Sequence, residues 1–519
     1  MIRFRAAIYA ALFAVFSAGM TAAQDVTLTS RDGTVEIGGT LLGYDGEFYR
    51  VDTRYGELTI DGSGVICDGP GCPNLSAFVA EVTLSGSSMM GELLLPELIE
   101  SFARFNGLTP RPEATSHRGL RLVLTDAVAG RDVIGFTIRA SNTDQGFADL
   151  LSNEADIVMA LREVRPAERA EAIATGMGDL TGRGRARTLA LDALVPVVAP
   201  GNPMRQISTA ELARIFAGET TDWTGLIGAD VPISLYLPDA GSGISQTMED
   251  RLLRPTGQEV PATVFRHETG GETVRAAVRD PFGIAMASYT EAQDAQVLNL
   301  GGGCGFTLIA NRQTIKTEDY PLTAPMFLYL PARRLPKTAR EFLAFLRGPA
   351  AQMVIRRAGF VDQVPEEIGI GIQGDRLANA IRAAGEETTI EELQRMIGRL
   401  SPMRRLTTTF RFESGSSRLD AQSRGNVEQL AQRLEAGEYD GRELLFVGFS
   451  DGQGAASGNL RIAKTRANAV LKAVIEAAET TPEERVRMEV DAFGEALPMA
   501  CDDSAWGRQV NRRVEVWIR

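Results

Sequence analysis

Residues 189–203 read Leu-Ala-Leu-Asp-Ala-Leu-Val-Pro-Val-Val-Ala-Pro-Gly-Asn-Pro, and a helical pattern over 209–217 follows them. The apolar run 189–198 predicts a strand. Working outward, strand-like runs at 82–84, 120–124, 156–160, 233–237 and 326–330 alternate with helical patterns at 93–105, 245–253, 273–278 and 338–358. Strands alternating with helices are the pattern of an α/β fold, so 80–360 is expected to be α/β.

Two Gly/Ser segments in this region each join a strand to a helix: Leu84-Ser85-Gly86-Ser87-Ser88 and Asp239-Ala240-Gly241-Ser242-Gly243-Ile244-Ser245. Free N–H groups and the positive dipole end at a helix start attract oxyanions, glycine allows close approach, and serine adds hydroxyl donors. Either segment alone is also ordinary capping sequence. Taken with 191–203, with 209–218 followed by Asp222-Trp223, and with 339–361, the pair resembles the periplasmic phosphate-binding proteins of ABC transporters. That resemblance implies a type II periplasmic binding fold, two α/β lobes joined by a double hinge, with Ser87, Ser88, Arg162 and Ser242 as anion contacts. The family's second-lobe loop carries Arg, then Asp, then Gly-Ser-Gly-Thr, where this chain has Pro238, Ala240 and Ile244 in the Arg, Asp and Thr positions. A buried dianion needs charged donors to replace its hydration. Phosphate binding much weaker than that of a dedicated receptor is therefore expected.

From Leu406 a β-α pattern runs to the C-terminus. Asp451 follows a strand at 443–447, and Asn459 and Arg466, seven residues apart, share one face of the next helix. A carboxylate and a guanidinium beside one loop suit a zwitterion, although a surface salt bridge has the same ingredients. The run Asp451, Gly454, Asn459, Ile462, Ala463, Arg466, Ala467, with the ending Gly507-Arg508, Asn511-Arg512-Arg513-Val514-Glu515, resembles the C-terminal domain of outer-membrane protein A. Peptidoglycan-associated lipoproteins and flagellar stator proteins share that domain. The resemblance implies binding of the diaminopimelate residue of peptidoglycan stem peptides, with Asp451 and Arg466 as the clamp and Asn459, Arg512 and Arg513 in support.

The rest of the chain sets the compartment. Residues 1–23 have a basic start, an apolar stretch and a small-residue end, the layout of a secretory signal peptide. Cys67 and Cys72 flank Asp-Gly-Pro-Gly, so a local disulfide is expected; Cys304 and Cys501 pair only if the C-terminal region docks on the middle one. Residues 25–77 alternate apolar and polar, punctuated by Asp-Gly at 32–33, 45–46 and 61–62, and predict a small β-module. Residues 361–400 read as a linker ending in an amphipathic helix with Ile390, Leu393, Ile397 and Leu400 on one face. The fold expected overall is multidomain α/β and α+β: β-module at 25–77, two-lobed region at 80–360, OmpA-like α/β sandwich at 401–519.

The 519 residues carry 54 Lys plus Arg against 67 Asp plus Glu, a net charge of −13, which argues against nucleic acid as a partner. His117 and His267 are the two histidines, each read as a surface or capping residue. Neither lies near a nucleophile motif, so no catalytic residue, metal or cofactor is expected. The leading reading is a non-enzymatic periplasmic protein bound to peptidoglycan, at or near the outer membrane, with a small oxyanion and other envelope proteins as further partners. The alternative is a receptor delivering phosphate or another oxyanion to an ABC permease.

Overall fold

The computed structural model describes residues 25–75, 77–115, 119–292, 294–384, 388–413, 416–480 and 484–519. The signal-peptide reading of 1–23 and the reading of His117 lie outside these residues. No helix among them is long and apolar enough to cross a membrane.

At the N-terminus five antiparallel strands lie in the order Gly56–Asp61, Phe48–Thr53, Glu36–Tyr44, Val26–Ser30, Val65–Asp68. Gly46, at φ +93°, makes the left-handed corner that Asp45-Gly46 promises. Among the described residues this module's buried apolar cluster is Val26, Leu28, Tyr49 and Val51. So small a core gains from the Cys67–Cys72 disulfide that closes over it. The module leans on the next region through Arg334, which pairs with Asp45 at 2.9 Å and Glu47 at 2.7 Å and lies over the Phe48 ring.

Two lobes follow, built on one continuous mixed sheet. Strands Ala80–Ser87, Arg131–Ser141, Gly119–Asp126, Leu108–Ala114 and Ile157–Ala160 belong to the first lobe, and Ser234–Pro238, Phe265–His267 and Gly283–Ser288 to the second. Ala186–Val198 and Thr323–Tyr329 pair antiparallel with each other and run from one lobe into the other. The sequence shows the helix that follows strand Thr323–Tyr329 as one run, 338–358, but it is two, Lys337–Phe345 and Pro349–Arg357, both packed on the first lobe. Pro349 lacks the N–H a continuing helix needs, so it starts a new one. His267 is likewise neither cap nor surface residue: it sits in a strand, half-buried and stacked on Tyr236.

The C-terminal sheet has the order Glu367–Gly369, Arg404–Arg411, Arg513–Ile518, Glu443–Phe449, Arg487–Gly494. Helices Ala421–Glu435 and Ala456–Ala477 cover one face through Leu430, Leu434, Val470 and Val474. The segment expected to be a linker contributes the edge strand Glu367–Gly369 and helices Gly374–Ala383 and Ile390–Leu400 on the opposite face. The inward residues of the last helix are Leu393, Met396 and Leu400; Ile390 is 60% exposed and Ile397 38%. Met396 takes the place expected of Ile397, because a 3–4 spacing between 393 and 400 is satisfied by either residue.

The C-terminal domain is fastened to the lobes. Cys304 and Cys501 are bonded across 197 residues. Arg405 grips Asp319 with two hydrogen bonds of 2.6 and 3.0 Å, the indole N–H of Trp506 donates to the Arg251 carbonyl, and the Ala421 N–H donates to Glu163. Glu318, at φ +55°, is one of two non-glycine residues in the left-handed region among those described. Burial, with the Asp420 charge adding, pushes its carboxyl up to about 8, against the opposing pull of Arg411 and Arg251. Burial also raises Asp192 to about 6 and Glu163 well above the carboxylate range. A carboxyl whose folded pKa is raised favours the folded state when protonated, and that stability is lost as pH climbs from about 4.5 through the raised value. Glu515, held down to about 2 by Arg376, Arg405 and Arg513 against its own burial, acts oppositely and only in strong acid. The expected outcome is a higher melting temperature at about pH 6 than at about pH 8.5. Glu318→Gln should flatten that slope, and a flat wild-type profile would contradict the assignment.

Candidate functional site

Each Gly/Ser segment starts a helix, but the cleft between the lobes is already filled. Ser87 Oγ accepts from the Met90 N–H at 3.4 Å, Ser242 Oγ caps the Ser245 N–H at 3.2 Å, and Ser88 stands half-buried between strand and helix. Leu161 occupies the gap. A Cβ on Gly243 would come within 2.2 Å of its Cδ1, its N–H donates to Thr143, and its carbonyl faces the Thr247 hydroxyl of the second lobe at 3.4 Å. Arg162 is buried and taken: it donates to Asp144, to both oxygens of Glu168 and to the Glu163 carbonyl. Asp144 also accepts from Gln246 across the cleft at 2.8 Å, and Arg165 reaches Asp250 across it at 3.3 Å. A carboxylate of the chain thus sits among the donors that a bound oxyanion would use. The second lobe does bring one cation to its loop, Arg266, which donates to the Pro238 carbonyl and to Ser245 Oγ. Its position on the short strand Phe265–His267, beside Ser234–Pro238, carries no sequence motif.

The C-terminal pocket is different. Strand Glu443–Phe449 ends at Ser450-Asp451, and helix Ala456–Ala477 crosses it so closely that a Cβ on Gly448 would stand 2.0 Å from the Ala463 carbonyl. Small residues at 448 and 463 set that approach and bring Asn459 and Arg466 beside the Asp451 loop. The loop is tied from behind: Asn511 accepts from the N–H groups of Met499 and Ala500 and donates to Asp502, which accepts from the Gly452 N–H.

Arg512 donates to Asp451 at 2.6 Å, and Asn459 donates to Glu495 at 2.6 Å. Arg466 lies 5.1 Å over the Phe412 ring, is 9% exposed, and makes no hydrogen bond among the described residues. Burial and the nearby Arg512 charge pull its pKa down, with Asp451 opposing them. Ser450 Oγ, next to Asp451 in the chain, is also buried without a partner. A buried guanidinium N–H and a buried hydroxyl left unsatisfied are costly unless a ligand completes them.

Of the five expected contacts, Asp451, Asn459, Arg466 and Arg512 gather here. Arg513 does not. It is wholly buried, its donors go to Glu515, Asn511 O and Leu497 O, and its guanidinium covers the Phe449 ring. Strand alternation explains this: Arg513, Glu515 and Trp517 point to one face and Val514, Val516 and Ile518 to the other, both buried.

Residues 77–349 match the model of the PBP superfamily domain, and residues 411–512 match that of the OmpA family. Protein SphX of Synechococcus elongatus is 27% identical over 240 residues, covering 44% of this chain and 69% of SphX. Phosphate-binding protein PstS of Borreliella burgdorferi is 23% identical over 177 residues, 33% of this chain and 63% of PstS. The probable lipoprotein YiaD of Escherichia coli is 30% identical over 107 residues, 21% of this chain and 46% of YiaD. Among solved structures, an ABC-type phosphate transport receptor from Vibrio cholerae superposes with a TM-score of 0.41 and 18% identity, over 54% of this chain and 99% of that one.

Proposed function

Because the chain belongs to the PBP superfamily through residues 77–349 and carries an OmpA-family region at 411–512, we propose that it is a non-enzymatic periplasmic protein that holds peptidoglycan through that second region. The observation that carries the reading is Arg466 beside Asp451, largely buried, with its Nε–H lacking a partner and no carboxylate bound to it among the described residues. A diaminopimelate residue brings a carboxylate for Arg466 and an ammonium for Asp451, where it shares the carboxylate with Arg512. Asn459, held by Glu495, lies alongside as a supporting contact. The lobes then act as a docked body at the cell wall, with residues 1–23 as the signal that delivers the chain there. Co-sedimentation with purified sacculi tests the proposal: the full chain pellets with them, and a chain left in the supernatant refutes it.

A second reading, an oxyanion receptor for an ABC permease, is favoured by the phosphate-binding name of the PstS relative. Against it stand Leu161 in the gap, Arg162 already paired, and Asp144 bridging to Gln246. Charge-assisted hydrogen bonds contribute about 1.5–3 kcal/mol each and neutral ones about 0.5–1.5 kcal/mol, so a cleft whose first-lobe cation is already paired binds a dianion poorly. Calorimetry of the full chain with phosphate is expected to give no binding or weak binding, in the millimolar range. Sub-micromolar binding lost on Ser242→Ala would restore the receptor reading.

A further inference from the structure

A second cavity, of about 470 Å³, opens between the lobes and the C-terminal domain, away from both the cleft and the Asp451 pocket. Its walls are the start of strand Ala186–Val198, the turn between helices Lys337–Phe345 and Pro349–Arg357 with the end of the latter, and one face of helix Ala421–Glu435. Arg187, Arg347, Arg356 and Arg433 line it against two acids, Glu428 and Glu438, an excess of cations in a chain whose net charge is −13.

Much of this positive charge is unpaired or only loosely paired. Arg187 makes one long hydrogen bond, Nε to the Gly184 carbonyl at 3.4 Å, and has no carboxylate within ion-pair distance among the described residues. Burial, with the Arg347 charge adding, pulls its pKa down to about 10. Arg347 stands 3.7 Å from Glu428, beyond hydrogen-bond length, while that carboxylate accepts from the Gly184 N–H. Arg356 is 3.6 Å from Asp362, whose oxygens already take Lys316 and Arg312. Only Arg433 is closely paired, with Glu438. Two neutral groups in the same walls are buried without partners, Thr188 Oγ1 and Gln363 Nε2; the other amide atom of Gln363 is fixed by Gln422. One guanidinium without a carboxylate, two in loose ion pairs and two unsatisfied neutral groups around one space are the complement of a ligand rich in acceptor oxygens.

We propose that this cavity binds a small multivalent oxyanion, bearing phosphate or carboxylate groups, through Arg187, Arg347 and Arg356 with Thr188 and Gln363 as neutral donors. The volume lies within the range of about 300–1,000 Å³ typical of organic ligands, and guanidinium groups on three separate elements suit anionic groups spaced along one molecule. Such a ligand touches the lobes and the C-terminal helix at once, so it binds the docked arrangement best and tightens it.

Calorimetry of the full chain with pyrophosphate and with citrate tests this. At least one of the two is expected to bind, pyrophosphate alone indicating phosphate groups and citrate alone carboxylates. Arg187→Gln is expected to weaken binding roughly tenfold to hundredfold. Thr188→Val, which keeps the side-chain shape, should weaken it less, and Arg356→Gln serves if the first variant does not fold. Arg104→Gln, on an exposed arginine elsewhere, controls for net charge. The proposal is overturned if neither anion binds, if Arg104→Gln weakens binding as much as Arg187→Gln, or if binding is lost on Ser242→Ala instead.

Discussion

Arg405→Ala is expected to destabilise the protein by about 3–5 kcal/mol, because removing one member of a buried ion network leaves the others uncompensated. Arg405 is 1% exposed and lies between two buried carboxylates. It is bidentate to Asp319 of the lobes, and its Nε is 3.4 Å from Glu515 of the C-terminal sheet. Glu515 is further held by Arg513 at 2.7 Å and by Arg376 and Trp517. The alanine variant strands Asp319, whose carboxyl is otherwise kept well below its usual range mainly by Arg405. Urea unfolding followed by tryptophan fluorescence measures the loss. A midpoint equal to wild type would show that the network carries no docking energy.

Replacing Cys304 and Cys501 by alanine together should cost a comparable amount. The bond closes a loop of 197 residues, and the chain-entropy relation gives about 5 kcal/mol for a loop of that length. The same disulfide sits where Gly303 N–H donates to Asp503, so its loss also loosens that side of the junction. The expected result is a lower urea midpoint with little change in the Cys67–Cys72 module, which has its own bond. An unchanged midpoint would mean that the remaining contacts restrict the unfolded chain as much as the bond does.

Local pattern revealed the elements whose signal is local. Each strand-like run of 80–360 overlaps a strand to within one residue, and Asn459 and Arg466 share a helix face as their seven-residue spacing requires. Strand Leu108–Ala114 was hidden by Pro110 and Pro112, which read as loop; it is the edge strand, where proline is tolerated. Strand Glu367–Gly369 is too short to be seen before its partner Arg404–Arg411 is in place.

The site contacts divide in the same way. Arg162 looked free because Asp144 and Glu168, which take it, are set by the turn of two helices rather than by a motif. Arg512 and Arg513 are adjacent and chemically identical, yet strand parity sends the second into the core with Glu515. That parity was present in Arg513-Val514-Glu515-Val516-Trp517, but an alternation of charged and apolar residues reads as one solvent face and one buried face, whereas here both are buried. The docking contacts depend on residues far apart in sequence, such as Asp319 with Arg405, and only the tertiary structure pairs them.

Titration of the full chain with a diaminopimelate-containing stem peptide, alongside Arg466→Ala, tests the peptidoglycan reading most directly. Wild type is expected to bind, and Arg466→Ala to lose about 2–5 kcal/mol of affinity, the cost of leaving the ligand carboxylate unpaired in a desolvated pocket. Affinity equal to wild type in Arg466→Ala, or no binding by wild type, would contradict it.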